Sequence, residues 1–149
     1  GLLNYFDRAE NCFISAYRKY SKDGSFKIKL EYLSCPSLKG KVVILADAML
    51  ATGSSLELAY RSMLEKGQPE HTHIFSIVAS KQGVGYIRKH LPMSNISLWL
   101  GSIDDELTSK SYIVPGLGDA GDLAYGSKTD RSEEEEDNGQ SADEEVDVD

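Results

Sequence analysis

The sequence predicts an α/β protein, a mostly parallel sheet flanked by helices, followed by an acidic tail of different character. Apolar runs of strand length alternate with segments whose apolar residues recur at helical spacing, the order that a parallel sheet with crossover helices requires. Residues 41–55 join a buried-strand pattern, Val42-Val43-Ile44-Leu45-Ala46, through Asp47 to a turn of small residues, Thr52-Gly53-Ser54-Ser55, and then to an amphipathic stretch. Residues 130–149 hold 11 acidic residues and one base, Arg131.

The elements follow in order. Gly1-Leu2-Leu3-Asn4-Tyr5-Phe6 reads as the start of a helix already under way. Residues 11–17 and 26–32 read as strands, joined by a charged, glycine-containing arm over residues 18–25. A strand over 41–46 is followed by a helix over 55–66, with Gly67 as a left-handed stop. A strand over 73–80, a helix over 81–90 closed by Pro92, and a strand over 96–100 complete the alternation.

The turn after the 41–46 strand has the makings of an anion site. The first amides of a helix lack partners and its dipole favours negative charge, while Thr52, Ser54 and Ser55 add hydroxyls. A phosphomonoester fits that arrangement. It is not a Walker loop, because no Lys follows the glycine and the glycines are too few to wrap a triphosphate. Asp47, at the carboxyl end of the strand, suits vicinal sugar hydroxyls, so phosphate and diol together suggest a ribose 5-phosphate. The alternative is an ordinary turn in which Ser or Thr caps the helix.

Residues 111–122, Ser-Tyr-Ile-Val-Pro-Gly-Leu-Gly-Asp-Ala-Gly-Asp, hold three glycines, one proline and two aspartates. Such a run suits neither a strand nor a helix interior and predicts a surface loop whose backbone another group can approach closely. Main-chain amides and carbonyls at fixed spacing match the donors and acceptors of a flat heterocycle. Asp119 and Asp122 suit a hydrated divalent cation, since Mg²⁺ keeps waters and takes one or two carboxylates with substrate phosphates. Alternatively, the aspartates are solvated or cap the turn that follows.

Together the two segments resemble the uracil phosphoribosyltransferase family. Its phosphoribosyl-diphosphate loop reads Asp-Pro-Met-Leu-Ala-Thr-Gly-Gly-Ser, against Asp47-Ala48-Met49-Leu50-Ala51-Thr52-Gly53-Ser54-Ser55 here. Its uracil loop is matched without a change from Tyr112 to Asp122, and the resemblance runs from about Phe13 to Ser127.

The resemblance implies a type I phosphoribosyltransferase-like fold and transfer of a phosphoribosyl group from 5-phosphoribosyl 1-diphosphate to uracil, giving uridine monophosphate and diphosphate with Mg²⁺ assisting. It also implies a homodimer, with the arm around Tyr20 embracing a partner, and leaves room for GTP binding; a cytoplasmic location is expected from the cysteines, Cys12 and Cys35, which fit no disulfide framework. Carried residue by residue, it gives residues 47–55 to phosphoribosyl diphosphate. Asp47 then binds the ribose hydroxyls, Ala48, Met49 and Leu50 lie along the loop, and Ala51, Thr52, Gly53, Ser54 and Ser55 cradle the 5-phosphate. Arg18 matches the arginine at the diphosphate, and Asp119 the position at phosphoribosyl diphosphate or its metal water. Tyr112, Ile113, Gly118, Asp119 and Ala120 fall to uracil, and Arg18 and Asp119 are the catalytic pair. Both loops are expected to face a common cleft.

Departures from the family pattern are Ala48 for proline, Ser54 for glycine and Leu123 for arginine. If position 54 needs a positive φ, serine there costs about 1 kcal/mol. The family also places a strand and an Arg-Ala-Gly loop ahead of the matched region, so a carboxyl-terminal portion of a longer protein is expected. A second reading is a phosphoribosyltransferase-like nucleotide-binding or regulatory module without turnover.

Composition divides the chain into a core, 1–129, and a disordered acidic tail, 130–149. Without the tail, 13 acidic and 15 basic residues leave +2 of the overall −8. The tail repels itself and has little to bury. A body charge near zero argues against a nucleic-acid face over Tyr17, Lys19, Tyr20, Lys22, Lys27 and Lys29. No apolar run approaches the ~20 residues of a membrane span. Cys12 and Cys35 have neither disulfide-framework nor metal spacing and read as reduced, partly buried thiols. His71 and His73 share one side of a strand without a third ligand, His90 suits a helix end, and Asp104-Asp105-Glu106 reads as a capping cluster.

Overall fold

A computed structural model describes residues 1–20, 26–109 and 111–126. Most of the charged arm and the whole acidic tail lie outside the described residues. A short helix α1 (Leu2–Tyr5) precedes an antiparallel hairpin of β1 (Phe13–Tyr20) and β2 (Phe26–Ser34), which pair from Phe13↔Ser34 to Tyr20↔Phe26 with a bulge at Ser15/Ala16. Both strands outrun their expected ends, so Arg18 lies within β1, opposite Ile28, and not in the connecting arm.

The centre is a parallel sheet in the order β3-β4-β5, formed by β3 (Val42–Leu50), β4 (His71–Ser80) and β5 (Ile96–Asp104). Val42 pairs with His71 at one end and Leu50 with Ala79 at the other; β4 pairs with β5 from Thr72↔Ile96 to Ser80↔Asp104. β3 and β5 each run four residues past the sequence expectation, because pairing with β4 continues beyond Asp47 and Gly101, which interrupt the apolar runs.

Helix α2 (Ser54–Met63) ends in a 3-10 turn, Leu64–Lys66, and α3 (Lys81–His90) follows β4 directly. Gly67 has the expected positive φ of 115, but its ψ of 165 is extended and not the left-handed helical stop foreseen. The two helices cover one face of the sheet. Alternation along β4 sends Thr72, Ile74, Ser76 and Val78 inward, and Ile74 belongs to one buried cluster with Leu56, Tyr60, Met63, Ile87 and Ile96.

The opposite face carries His71, His73, Phe75 and Ile77 of β4 beside Trp99 of β5. Phe75 and Trp99 stack with centroids 5.8 Å apart, and Trp99 Nε1 donates to His73 Nδ1 at 3.1 Å. Parallel sheets are ordinarily covered on both sides. Here Ile77 remains 64% exposed and Trp99 52%, so this face is largely open. A cleft of about 1200 Å³ wraps the free edge of β3, reaching His73, Phe75 and Trp99 on this face and Ser55, Leu56, Ala59 and Met63 of α2 on the other, with residues from α1 to the start of β1 as its outer wall.

Beyond β5 the chain makes a two-stranded antiparallel sheet from β6 (Glu106–Leu107) and β7 (Ile113–Val114), then helix α4 (Ala120–Tyr125). The stretch read as pure loop therefore contains a two-residue strand and the first turn of a helix. Its centre carries a cis Val114–Pro115 bond and positive φ at Gly116 and Gly118.

Candidate functional site

The loop after β3 is assembled by groups distant in sequence. Ser76 Oγ accepts from Leu50 N at 3.0 Å and donates to the Val78 carbonyl at 2.9 Å. Ser80 Oγ donates to the Ala51 carbonyl at 2.6 Å and accepts from Gly83 N at 2.8 Å. Gly83 lets α3 press on the loop: a β-carbon there would lie 2.3 Å from the Ala51 oxygen. None of these anchors was singled out from the sequence. The only signal was Ser80 standing three residues before Gly83 at a helix start, an N-cap pattern.

Within the loop, Thr52 Oγ1 and Ser54 Oγ lie 2.9 Å apart. Gly53 takes φ 86 and ψ −15, the left-handed conformation that favours glycine, and is the N-cap of α2 without a side-chain cap bond. The turn is thus not a Ser- or Thr-capped helix start, and the leading amides of α2 are left to another acceptor. Ser54 begins the helix without a positive φ, so replacing glycine by serine strains nothing and adds a hydroxyl.

Asp47 sits inside β3, opposite Ser76, with three strand residues still to follow, and not at the strand end. Its side chain opens to solvent at the wall of the larger cleft. The crowding around it still withholds water and pushes the carboxyl above its ordinary 3.8, against the pull of the Met49 and Ala48 amides. Ala48 and Met49 continue β3, which Leu50 closes. Ser55, in the first turn of α2, also lines the cleft.

The glycine-rich segment is fastened along its length. Tyr112 donates to Thr108 Oγ1 at 3.0 Å and its carbonyl accepts from Thr108 N at 2.8 Å, so both main-chain groups are engaged. Ile113 is buried, whereas Gly118 is exposed with open space around it. Asp119 is the N-cap of α4: its Oδ1 accepts from Gly121 N at 2.8 Å and Asp122 N at 3.1 Å. Ala120 is the first residue of that helix. Asp104 does not cap a helix. Its carboxylate accepts from Gly116 N at 2.9 Å and Ser102 Oγ at 3.0 Å, while Asp105 pairs with Lys81.

Both loops leave the carboxyl edge of the parallel sheet. Leu50, Ala79 and Ile103 share one row, so two strand spacings put the roots of the loops roughly 10 Å apart. Neither of two clefts among the described residues is lined by both loops. The larger cleft takes in Asp47 and Ser55 but no residue of 111–122; a smaller one, about 380 Å³, takes in Val114 and Pro115 but no residue of 47–55. The larger wraps the free edge of β3, and the relation between the loops is the shared carboxyl edge. Arg18 has its backbone in β1, and its expected role rests on a side chain outside the described part.

Among the described residues no group of three His, Cys, Asp or Glu side chains is placed to hold a metal, although the His71 and His73 rings do share one side of β4, 4.7 Å apart. Among the same residues no helix is long and apolar enough to cross a membrane. Cys12 and Cys35 are free and partly buried.

Helices on a parallel sheet, with a hydroxyl-lined helix start and a glycine-rich loop at its carboxyl edge, define an α/β protein of the class that receives ligands beyond its strand ends. The family described as uracil phosphoribosyltransferase matches residues 2–127. Uracil phosphoribosyltransferase of Porphyromonas gingivalis is 57% identical over 128 residues, 86% of this chain and 59% of that protein. The protein of that name in Methanothermobacter thermautotrophicus is 34% identical over 130 residues, 87% of this chain and 58% of its own. The solved AQ2163 protein of Aquifex aeolicus superposes with a TM-score of 0.73 at 32% identity, covering 83% of this chain and 57% of that one. The chain belongs to the uracil phosphoribosyltransferase family. It spans about three fifths of the length of the curated relatives it matches.

Proposed function

We propose that the protein to which this chain belongs transfers the phosphoribosyl group of 5-phosphoribosyl 1-diphosphate to uracil, giving uridine monophosphate and diphosphate in pyrimidine salvage. The observation that carries this reading is the family match over residues 2–127, which includes both edge loops. Departure of diphosphate leaves a cation-like sugar, so the work lies in steadying the leaving group, aligning the base and excluding water.

Residues 51–55 and the leading amides of α2 take the 5-phosphate, and Asp47 takes the ribose hydroxyls. Arg18 steadies the diphosphate. Uracil lies against main-chain groups at Ile113, Gly118 and Ala120, with the ring of Tyr112 and the carboxylate of Asp119 bordering it. The donor set suits hydrated Mg²⁺: Asp119 would hold the ion through one of its waters, with Asp122 beside it, and substrate phosphates would supply further oxygen. When bound, Mg²⁺ neutralises charge on the diphosphate. A homodimer in the cytoplasm and a solvating tail over residues 130–149 belong to the same reading.

The test is diphosphate release from uracil and 5-phosphoribosyl 1-diphosphate by the full-length protein, beside calorimetry with uridine monophosphate. Turnover that requires uracil supports the enzyme. Tight binding of uridine monophosphate without turnover selects the regulatory module, and neither binding nor turnover ends both readings.

A further inference from the structure

We infer that Asp104 is a positioning residue that holds the glycine-rich loop in register for the pyrimidine, an inference resting on the function proposed above. Asp104 is the last residue of β5, paired in register with Ser80, and its carboxylate is partly buried. One oxygen accepts from Gly116 N at 2.9 Å and the other from Ser102 Oγ at 3.0 Å. Two donors on two oxygens fix the carboxylate plane, and bonds to an ionised acceptor are stronger than neutral ones.

The grip is at the middle of the loop. Thr108 holds its start at Tyr112, and the Asp119 cap holds its end. Between them, Gly116 takes φ +53, and a β-carbon there would lie 2.1 Å from the Ile113 carbonyl oxygen. That folded-back turn directs the chain on to Gly118 and Ala120. Asp104 joins it to the rigid end of the central sheet, as Ser80 joins the loop after β3. The two loops thus have separate anchors on neighbouring strands. Loss of Asp104 leaves the Gly116 amide without its carboxylate and frees one loop while leaving the other held.

In the full-length protein, Asp104→Ala should raise the KM for uracil by about tenfold or more, with the KM for 5-phosphoribosyl 1-diphosphate within about twofold. Asp104→Asn should restore most of the loss, because its carbonyl still accepts from Gly116 and its amide can donate to the Ser102 hydroxyl, which also accepts. Amide exchange at Gly116, read without any substrate, should quicken by about tenfold in Asp104→Ala and stay slow in Asp104→Asn. If Asp104→Ala does not fold, Ser102→Ala, which unties the other oxygen, should shift uracil KM and Gly116 exchange in the same directions by smaller amounts.

Equal rises in both KM values, no rescue by asparagine, or faster exchange with an unchanged uracil KM would each overturn the inference. A wild-type protein without turnover on uracil defeats the functional reading instead. In that case exchange at Gly116 still decides whether Asp104 holds the loop, and unchanged exchange overturns that too.

Discussion

Ser80 Oγ donates to the Ala51 carbonyl at 2.6 Å while accepting from Gly83 N at 2.8 Å, so one fully buried hydroxyl fastens the loop after β3 and starts α3. A hydroxyl supplies one donor and spare acceptor capacity, and both are used here. Ser80→Ala should therefore lose a helix cap and leave a carbonyl unpaired, costing about 2 kcal/mol. Urea unfolding followed by circular dichroism measures it; a loss under about 0.5 kcal/mol would mean that water replaces the hydroxyl.

The anchors mark the boundary of what could be read in advance. The order of strands and helices was legible because β4 and α3 carry their own periodicities, and the loop after β3 was legible as strand, small residues and helix start. Gly53 needs its positive φ, as a glycine in a tight turn suggests. Partners far apart in sequence were not legible. Ser80 meets Ala51 across 29 residues and Asp104 meets Gly116 across 12, so Asp104 looked like a helix cap until the chain folded back on it. The open face was hidden for a related reason. Phe75, Ile77 and Trp99 have the composition of buried strand residues, and only packing reveals which side the helices cover.

Glu57 ties α2 to α3. Its Oε2 accepts from Tyr86 Oη at 2.6 Å and its Oε1 from Arg61 Nε at 2.8 Å, and Arg61 Nη2 reaches the His90 carbonyl at 3.1 Å. The Tyr86 hydroxyl, and then Arg61, hold the Glu57 carboxyl below its ordinary 4.5. A carboxylate with a depressed folded pKa stabilises fully above its unfolded value and loses that contribution as pH falls through the folded one. Thermal unfolding of wild type and Glu57→Gln should differ most above about pH 5.5, with the gap closing as acid is added below 4.5. A gap that is constant from pH 7 to pH 3 would exclude the ionised form as its source.

Cys12 stands just before β1, and its thiol is pushed up to about 12, first by burial and then by the neighbouring sulfur of Cys35. The thiolate is the reactive species, so Cys12 should be alkylated by iodoacetamide at pH 8 on the order of a hundredfold more slowly than glutathione. Peptide mass spectrometry over a time course measures the rate at this residue alone. Labelling at the pace of glutathione would show the site to be solvated and the thiol unperturbed.

Gly83 and Gly85 occupy the same helix two residues apart and should answer alanine in opposite directions. A β-carbon on Gly83 would lie 2.3 Å from the Ala51 oxygen and 2.9 Å from the Leu50 oxygen, both main-chain atoms with no rotamer to change. Relief requires α3 to move away from the loop, which breaks the Ser80 bridge and costs about 3 kcal/mol. Gly85 is exposed, with nothing within 4 Å of its would-be β-carbon. Alanine there removes only the flexibility of the unfolded chain and should stabilise by about 0.5–1 kcal/mol. Because Gly83 touches the loop assigned to phosphate, Gly83→Ala should also weaken 5-phosphoribosyl 1-diphosphate binding to the full-length protein, whereas Gly85→Ala should leave it unchanged. Denaturant unfolding and calorimetry on the two variants give both comparisons, and stabilisation by alanine at both positions would show that α3 does not press on the loop after β3.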